Sequence, residues 1–291
     1  MSFRDDRPRV AVVTGASRGA GRGIALALGA SGATVVVTGR SRTRGDHELG
    51  GTVGETADEV TRRGGRGIPI VCDHTDDGQV AGLFAEVHDV CGGLDILVNN
   101  AFSVPDCLIG PEPFWKKPLD LLSMIDVGLR STYVATWHAA PLLIANPIRQ
   151  PLVVNTSGFG AACYMHGPAY GAVKAGVDKL AHDMAVDFRP HQVTVVSVWM
   201  GLLRTERTLR HMARLPEQFA YSQQMTESPE FTGRVIVALD RQQAKLDFTG
   251  GIFIGAELGE QLGVPDIDGA QPHSRRPLLG GPPSYSPAVV R

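Results

Sequence analysis

Ser157, Tyr170 and Lys174 are the residues whose types and spacing point most directly to chemistry. Tyr170 and Lys174 stand at i and i+4, one turn apart on a single helical face. Ser157 ends an apolar run and precedes Tyr170 by thirteen residues. A lysine beside a phenol favours the phenolate. A phenol starts near pKa ~10, so a shift of about three units needs roughly 4 kcal/mol of electrostatic help. A hydroxyl such as Ser157 would hold the substrate oxygen while the phenol gives or takes a proton. Tyr164 competes poorly, because Pro168 rather than a lysine lies four residues on. His166 reads as a loop residue.

Those three residues need a partner site, and the stretch TGASRGAGRG at 14–23 supplies a candidate. Its glycines Gly15, Gly19 and Gly21 sit between the apolar run RVAVV and a helical segment. A glycine cluster is entropically costly, so it needs a reason. A tight strand-to-helix turn is one. Close approach of a phosphate to free N–H groups at a helix N-terminus is the other, and strand before plus helix after is the context it requires.

The elements that would position these groups follow from periodicity. Apolar runs at 9–15, 33–39, 67–73, 94–101, 151–158, 193–199 and 246–255 alternate with helical patterns at 19–31, 53–64, 76–91, 118–144, 168–188 and 229–242. The first six runs are nearly continuous in apolar character, as strands buried on both faces are. Repeated strand–helix alternation predicts an α/β, doubly wound fold with a parallel sheet. Residues 1–269 read as one catalytic domain, with a lid-like segment at 201–228. Residues 270–291, rich in Pro, Gly and Ser, read as a tail outside the core.

In such a sheet, ligands bind at the carboxyl ends of the strands. After the second run come Arg40, Ser41 and Arg42 with no acid directly following. An acid there would hold a ribose 2′-OH, whereas Arg18, Arg40 and Arg42 suit a 2′-phosphate, so NADP(H) is favoured over NAD(H). Asp73 follows the third run and can accept from an adenine amine or cap the next helix. Asn99, Asn100 and Ala101 follow the fourth, small and polar where a ribose could lie. Phe114, Trp115 and Trp199 are either pocket lining or core. Arg204, Arg207 and Arg210 read as a solvated face, with Arg204 able to meet an anionic substrate.

Taken together, TGxxxGxG, the NNA at 99–101, Ser157 and Tyr170-xxx-Lys174 resemble the short-chain dehydrogenase/reductase family over about residues 8–265. The segments CDHTDDGQVAGLF, LDILVNNAF, FWKKPLDLLSMIDVGLR and LGVPDIDG resemble its dehydrogenase/reductase member 1 subgroup. The resemblance implies one Rossmann domain with a seven-stranded parallel sheet flanked by helices, often in a homodimer or homotetramer. It implies hydride transfer between NAD(P)(H) and a small-molecule alcohol or carbonyl. Tyr170 would be the acid/base, Lys174 would bind the nicotinamide ribose and lower the tyrosine pKa, and Ser157 would orient the substrate. The dinucleotide would lie along Gly15, Ser17, Arg18, Gly19, Ala20, Gly21, Arg40, Arg42, Asp73, Asn99, Ala101, Tyr170, Lys174, Leu203 and Thr205.

Three positions depart from the family pattern. Phe102 stands where a glycine follows NNA, Met200-Gly201 replaces Pro-Gly, and Gly128 stands where the family carries a catalytic asparagine. A backbone carbonyl at Gly128 is expected to take over the asparagine's part in a proton relay. A non-catalytic dinucleotide sensor on the same fold is the alternative reading, favoured only by Gly128. A glycine-loop NTPase is disfavoured, since the turn lacks a GK[ST] ending.

The bulk numbers exclude other classes. A net charge of −2 gives no pull toward nucleic acid or an anionic membrane. Four cysteines without a CxxC pair argue against a zinc site or disulfide framework and suit a reducing cytoplasm. Glu112, Asp120 and Asp126 have no metal-ligand partners in sequence, so no metal is expected. No apolar leader and no membrane span are expected.

Overall fold

Four of the strands are buried at every residue, which is why they read as unbroken apolar runs. In the computed structural model, which describes residues 7–214 and 225–291, they are β2 (Thr34–Gly39), β4 (Ile96–Asn99), β5 (Leu152–Ser157) and β6 (Thr194–Trp199). With β1 (Val10–Val13), β3 (Arg66–Val71) and β9 (Ile252–Ile254) they form one seven-stranded sheet in the order β3-β2-β1-β4-β5-β6-β9. Every pairing in it is parallel, with registers such as Val12↔Val36, Val12↔Leu97 and Val154↔Val196. The expected fold, an α/β Rossmann sheet flanked by helices, is the one found.

The period-2 alternation of each strand divides the core in two. Ala11, Val13, Val35, Val37, Ile96 and Val98 face one layer. There they meet helices α1 (Gly19–Ala30), α2 (Val53–Arg62) and α7 (Phe231–Asp240). Val12, Val36, Leu97, Val153 and Val195 face the other, made by α3 (Asp77–Cys91), α4 (Ser131–Ile144) and α5 (Pro168–Phe188). The order of strands reverses direction between β1 and β4, and in such sheets ligands bind outside the carboxyl ends of the strands at that point.

Helix ends follow the local sequence. Thr52 and Glu55 form a reciprocal capping box on α2, and Asp76 caps α3 by accepting from Gln79 N–H. The cap of α3 is therefore Asp76, three residues past Asp73. The single helix expected over 118–144 is instead three pieces: a 3₁₀ turn at Leu119–Leu122, a π-helical turn at Ile125–Arg130, and α4. Thr132 Oγ1 donates to the Gly128 carbonyl at 2.8 Å, and back-bonding of this kind distorts a helix. The strand expected over 246–255 shortens to β9, since Lys245–Phe248 forms a 3₁₀ turn.

The segment after β6 forms a small parallel pair, β7 (Leu202–Leu203) with β8 (Thr226–Glu227), and helix α6 (Glu206–Arg214). The rest of the expected lid, 215–224, lies outside the described residues. Helix α8 (Gly255–Gln261) follows β9, and a last turn, α9 (Arg276–Leu279), belongs to the Pro/Gly-rich tail. That tail touches the core more than its composition suggests. Leu279 packs on the cluster of Phe159, Trp199, Ile254 and Ala256, and Arg276 pairs with Glu257 at 2.6 Å.

Candidate active site

The glycine turn is built around backbone approach. Gly15 has φ +65° and Gly19 φ +56°, the left-handed region that glycine enters without strain. A Cβ on Gly15 would lie 2.7 Å from Ala101 Cα, and one on Gly21 would lie 2.3 Å from the Gly15 carbonyl oxygen. Asn100, read from sequence as a small polar residue beside a ribose, instead locks this arrangement. Its Nδ2 donates to the Thr14 carbonyl at 2.8 Å, and Thr14 Oγ1 accepts from the N–H groups of Asn100 and Ala101 at 2.9 Å each. Asn99, expected at the ligand, turns its side chain inward. Its Nδ2 donates to Thr136 Oγ1 and Asn155 Oδ1, both at 2.9 Å. Ser17 is buried and Ala20 half-buried beside the turn.

Helix α1 begins with no side-chain cap and no acid in its first turn. Its amide donors therefore await an anion from elsewhere. One arrives from α6: Gly19 N–H donates to Glu206 Oε2 at 3.1 Å. A carboxylate oxygen stands where a phosphate oxygen would, and the Cβ-free cradle beside it fits a dinucleotide pyrophosphate. Nothing in the sequence around Glu206 signalled this contact; it depends on how the segment after β6 folds back.

A cationic group lies next to that turn. Arg18 donates from Nε to the Gly50 carbonyl at 2.7 Å and from Nη2 to the Gly51 carbonyl at 3.1 Å and to Ser41 Oγ. Burial holds the Arg18 guanidinium below its ordinary pKa, as do Arg40 and Arg207, against the pull of Glu206. His47 is likewise lowered by burial and then by Arg18, Arg207 and Arg40. Cations that lower one another in this way would all gain from an anion among them. Arg40 is the more exposed, 4.0 Å from Asp73. Asp73 itself accepts from Thr75 N–H and Oγ1 at 3.0 and 2.9 Å. Arg42 is exposed; its N–H donates to Asp46 at 2.6 Å, and nothing brings its side chain to Arg18. Ser41, Arg207 and His47 were not singled out for this site from sequence.

Ser157 ends β5, and Tyr170 and Lys174 come from the first turns of α5. Glycines make room for the tyrosine. A Cβ on Gly160 would lie 2.4 Å from Tyr170 Cε1, and one on Gly158 would be 3.8 Å from the Tyr170 hydroxyl, placing that hydroxyl beside the residue after Ser157. Ser157 Oγ donates to the Lys174 carbonyl at 3.2 Å. Beneath them Asp178 is fully buried and accepts from Ser197 Oγ at 2.6 Å and Trp199 Nε1 at 2.8 Å. Burial raises the Asp178 pKa, and its hydrogen bonds only partly offset that.

The electrostatics reverse one expectation. Burial, followed by the nearby Cys163, pushes the Tyr170 phenol up to about 12, not down. Burial lowers Lys174 to about 8, partly opposed by Asp178. The ammonium does not reach the phenol oxygen as a strong partner. It lies over aromatic rings, 4.5 Å from the Phe102 centroid and 5.7 Å from that of Tyr170. With these residues alone, the phenol is a proton donor.

The remaining candidates separate cleanly. Trp199 is core, while Phe114 and Trp115 are 57% and 72% exposed. His166 stacks edge-on against Tyr170 with centroids 5.2 Å apart. The three arginines are not a solvated face: Arg204 bonds Thr226 and Asp266, Arg207 pairs with Asp106, and Arg210 with Glu48. Leu203 is buried on β7, and Thr205 caps α6 by accepting from Thr208 N–H at 3.2 Å. Glu227 accepts from Gly201 N–H at 3.1 Å, fixing the chain just after β6, and burial pushes its carboxyl up to about 7. Among the described residues no cluster could hold a metal, and no helix is long and apolar enough to cross a membrane.

The chain matches the short chain dehydrogenase family over residues 9–214. It is 38% identical to dehydrogenase/reductase SDR family member 1 of Mus musculus, covering 90% of this chain and 84% of that protein. To the Homo sapiens protein of the same name it is 35% identical, covering 97% and 94%. Among solved structures it is similar to a short-chain type dehydrogenase/reductase from Mycobacterium marinum, with 27% identity, TM-score 0.71, and 84% and 93% of the two chains covered.

Proposed function

We propose, from the premise that this chain belongs to the short-chain dehydrogenase family and is an oxidoreductase using a nicotinamide dinucleotide, that it interconverts a small-molecule carbonyl and alcohol with NADP(H). The observation that carries the reading is the convergence at one edge of the sheet. Ser157 at the end of β5 and Tyr170 and Lys174 on α5 share the carboxyl edge with the glycine turn after β1.

When bound, the dinucleotide supplies or accepts the hydride. The chain's own residues do the rest. The turn at Gly15–Gly21 and the open end of α1 hold the pyrophosphate. Arg18, Arg40 and the Ser41 hydroxyl hold a 2′-phosphate by charge-assisted hydrogen bonds. The Ser157 hydroxyl orients the substrate oxygen, and Tyr170, kept protonated by burial, donates its proton to a carbonyl oxygen as the carbon is reduced. Lys174 keeps positive charge beside the phenolate that remains. Asp178, through Ser197, Trp199 and the lysine's own helix, stiffens the floor of the site. A reducing cytoplasm and a homodimer or homotetramer complete the proposal.

The test is a panel of carbonyl compounds with NADPH, following cofactor absorbance, on the intact chain and on Tyr170→Phe. The substitution removes one proton donor and little volume. NADPH affinity should hold within about twofold, while turnover drops by about 10²–10⁴-fold, the range for loss of a general acid. Native turnover in Tyr170→Phe refutes the assignment.

A further inference from the structure

Lys174 is 6% exposed, and its ammonium lies over the rings of Phe102 and Tyr170. The ring of Phe102 lies 4.5 Å from it. The same ring meets Tyr170 edge-on, centroids 5.8 Å apart at 90°. It also lies against the backbone of the π-helical turn: a Cβ on Gly128 would fall 2.8 Å from Phe102 Cδ2 and 2.9 Å from its Cε2. Val173 Cγ1 closes the other side of that position at 2.8 Å. One ring thus touches the lysine, the tyrosine and the glycine. No side chain can be added at 128 while Phe102 stays where it is.

A buried ammonium needs compensation. Asp178 is the carboxylate that acts on it, but its oxygens are engaged by Ser197 and Trp199. The negative face of an aromatic ring attracts such a cation, and that of Phe102 is the nearer of the two rings. Leu108, Leu121, Met124, Val173 and Val177 pack around Phe102 and exclude water from that side.

We propose that Phe102 is a positioning residue for the acid–base step: its ring face holds the Lys174 ammonium beside Tyr170, and glycine at 128 is what admits the ring. The two departures at 102 and 128 are then one adaptation. The ring takes the space that a side chain at 128 would need, and the lysine's charge is compensated by a π-face in place of a polar side chain. The Gly128 carbonyl accepts from Thr132 Oγ1 at 2.8 Å. This inference rests on the reading of Tyr170 and Lys174 as the working pair.

The charged and titratable groups facing the lysine are Tyr170 and Asp178 on α5 and, behind the tyrosine, Cys163. The ring favours the protonated amine, so its removal lowers the lysine pKa. A cation–π contact of a desolvated cation corresponds to a fall of about 0.5–1.5 pH units from the present value of about 8.

The experiment is an NMR titration of side-chain-labelled lysine in the full chain without cofactor or substrate. The lysines are Lys116, Lys117, Lys174, Lys179 and Lys245, and Lys174→Met assigns the signal. Phe102→Leu, which keeps apolar bulk and loses the π-face, should lower the Lys174 midpoint by that amount. Phe102→Tyr, which keeps the face, should leave it within about 0.3 unit. Gly128→Ala, which displaces the ring, should lower it too, and adding it to Phe102→Leu should cause little further change, because contacting residues are not additive. An unchanged or raised midpoint in folded Phe102→Leu overturns the proposal. If Phe102→Leu does not fold, an unchanged midpoint in Gly128→Ala does the same. Because no turnover is involved, failure here is separable from failure of the oxidoreductase assignment, which Tyr170→Phe tests.

Discussion

Glu206 occupies the end of α1 with a charge that a dinucleotide must replace, so Glu206→Gln should tighten cofactor binding. The glutamine amide keeps volume and can still accept from Gly19 N–H through its oxygen, so the substitution isolates the charge. An anion at an exposed helix N-terminus contributes about 0.3–1 kcal/mol. The Gly19 contact at 3.1 Å is exposed, which keeps the value in that range rather than at the higher figure for a buried charged hydrogen bond. Glu206 also raises the Arg18 pKa, partly neutralising the cation expected to meet a 2′-phosphate. Both effects oppose an incoming polyanion and add to about 1 kcal/mol, or about fivefold in Kd. Calorimetry of NADPH with the intact chain and Glu206→Gln should show about two- to fivefold tighter binding in the variant at low salt. The gap should narrow as salt is raised, since exposed charges are screened within a Debye length of about 10 Å at 0.1 M. Binding that weakens, or a gain that does not respond to salt, would mean that Glu206 supports the cradle rather than competing for it.

Two further outcomes follow from the same charges. NADPH should bind more tightly than NADH by about 1–3 kcal/mol; Arg18→Ala should remove more of that gap than Arg40→Ala, because Arg18 is fixed by Gly50, Gly51 and Ser41 whereas the Arg40 side chain is 68% exposed, and equal affinities in the intact chain would discard the 2′-phosphate site. Glu227 has a folded pKa of about 7, above its ordinary 4.5: the folded state binds the extra proton, so stability is fully present below about pH 4.5 and falls as pH rises toward and through 7, by about 2–3 kcal/mol. Denaturant melts at pH 5 and pH 8 should show this loss, and Glu227→Gln should flatten it; the same slope in the variant would place the titration elsewhere.

Much of this architecture was legible because burial on both faces leaves a continuous apolar record in β2, β4, β5 and β6, and the alternation with helices fixes a parallel sheet. The glycine turn was legible for a related reason, since glycine enters without strain the φ of +65° and +56° that Gly15 and Gly19 adopt. What sequence reasoning missed was contact made at a distance along the chain. Glu206 reaches Gly19 across 187 residues, and Arg207 reaches the Arg18 group from the same helix. Neither has a local signature, because α6 is a mostly polar helix and the residues it meets lie far away in sequence. The Lys174–Phe102 contact was missed for another reason: an i, i+4 lysine fixes proximity along a helix but says nothing about where its flexible stem ends.

Positions 102 and 128 carry this point furthest. Read singly, Phe102 is a bulky residue where a small one is usual, and Gly128 is a lost functional side chain. Each looks like damage to a catalytic site. Their contact changes the reading, since the ring at 102 fills the space over the glycine and faces the lysine. The π-helical turn at Ile125–Arg130 includes this glycine, whose bare Cα leaves the ring against backbone. A substitution that removes a polar group near a buried cation is tolerable only when something else takes the cation's charge. Here the residue that makes the loss tolerable is also the one that makes it necessary, so reversing either change alone should disturb Lys174 more than leaving both in place.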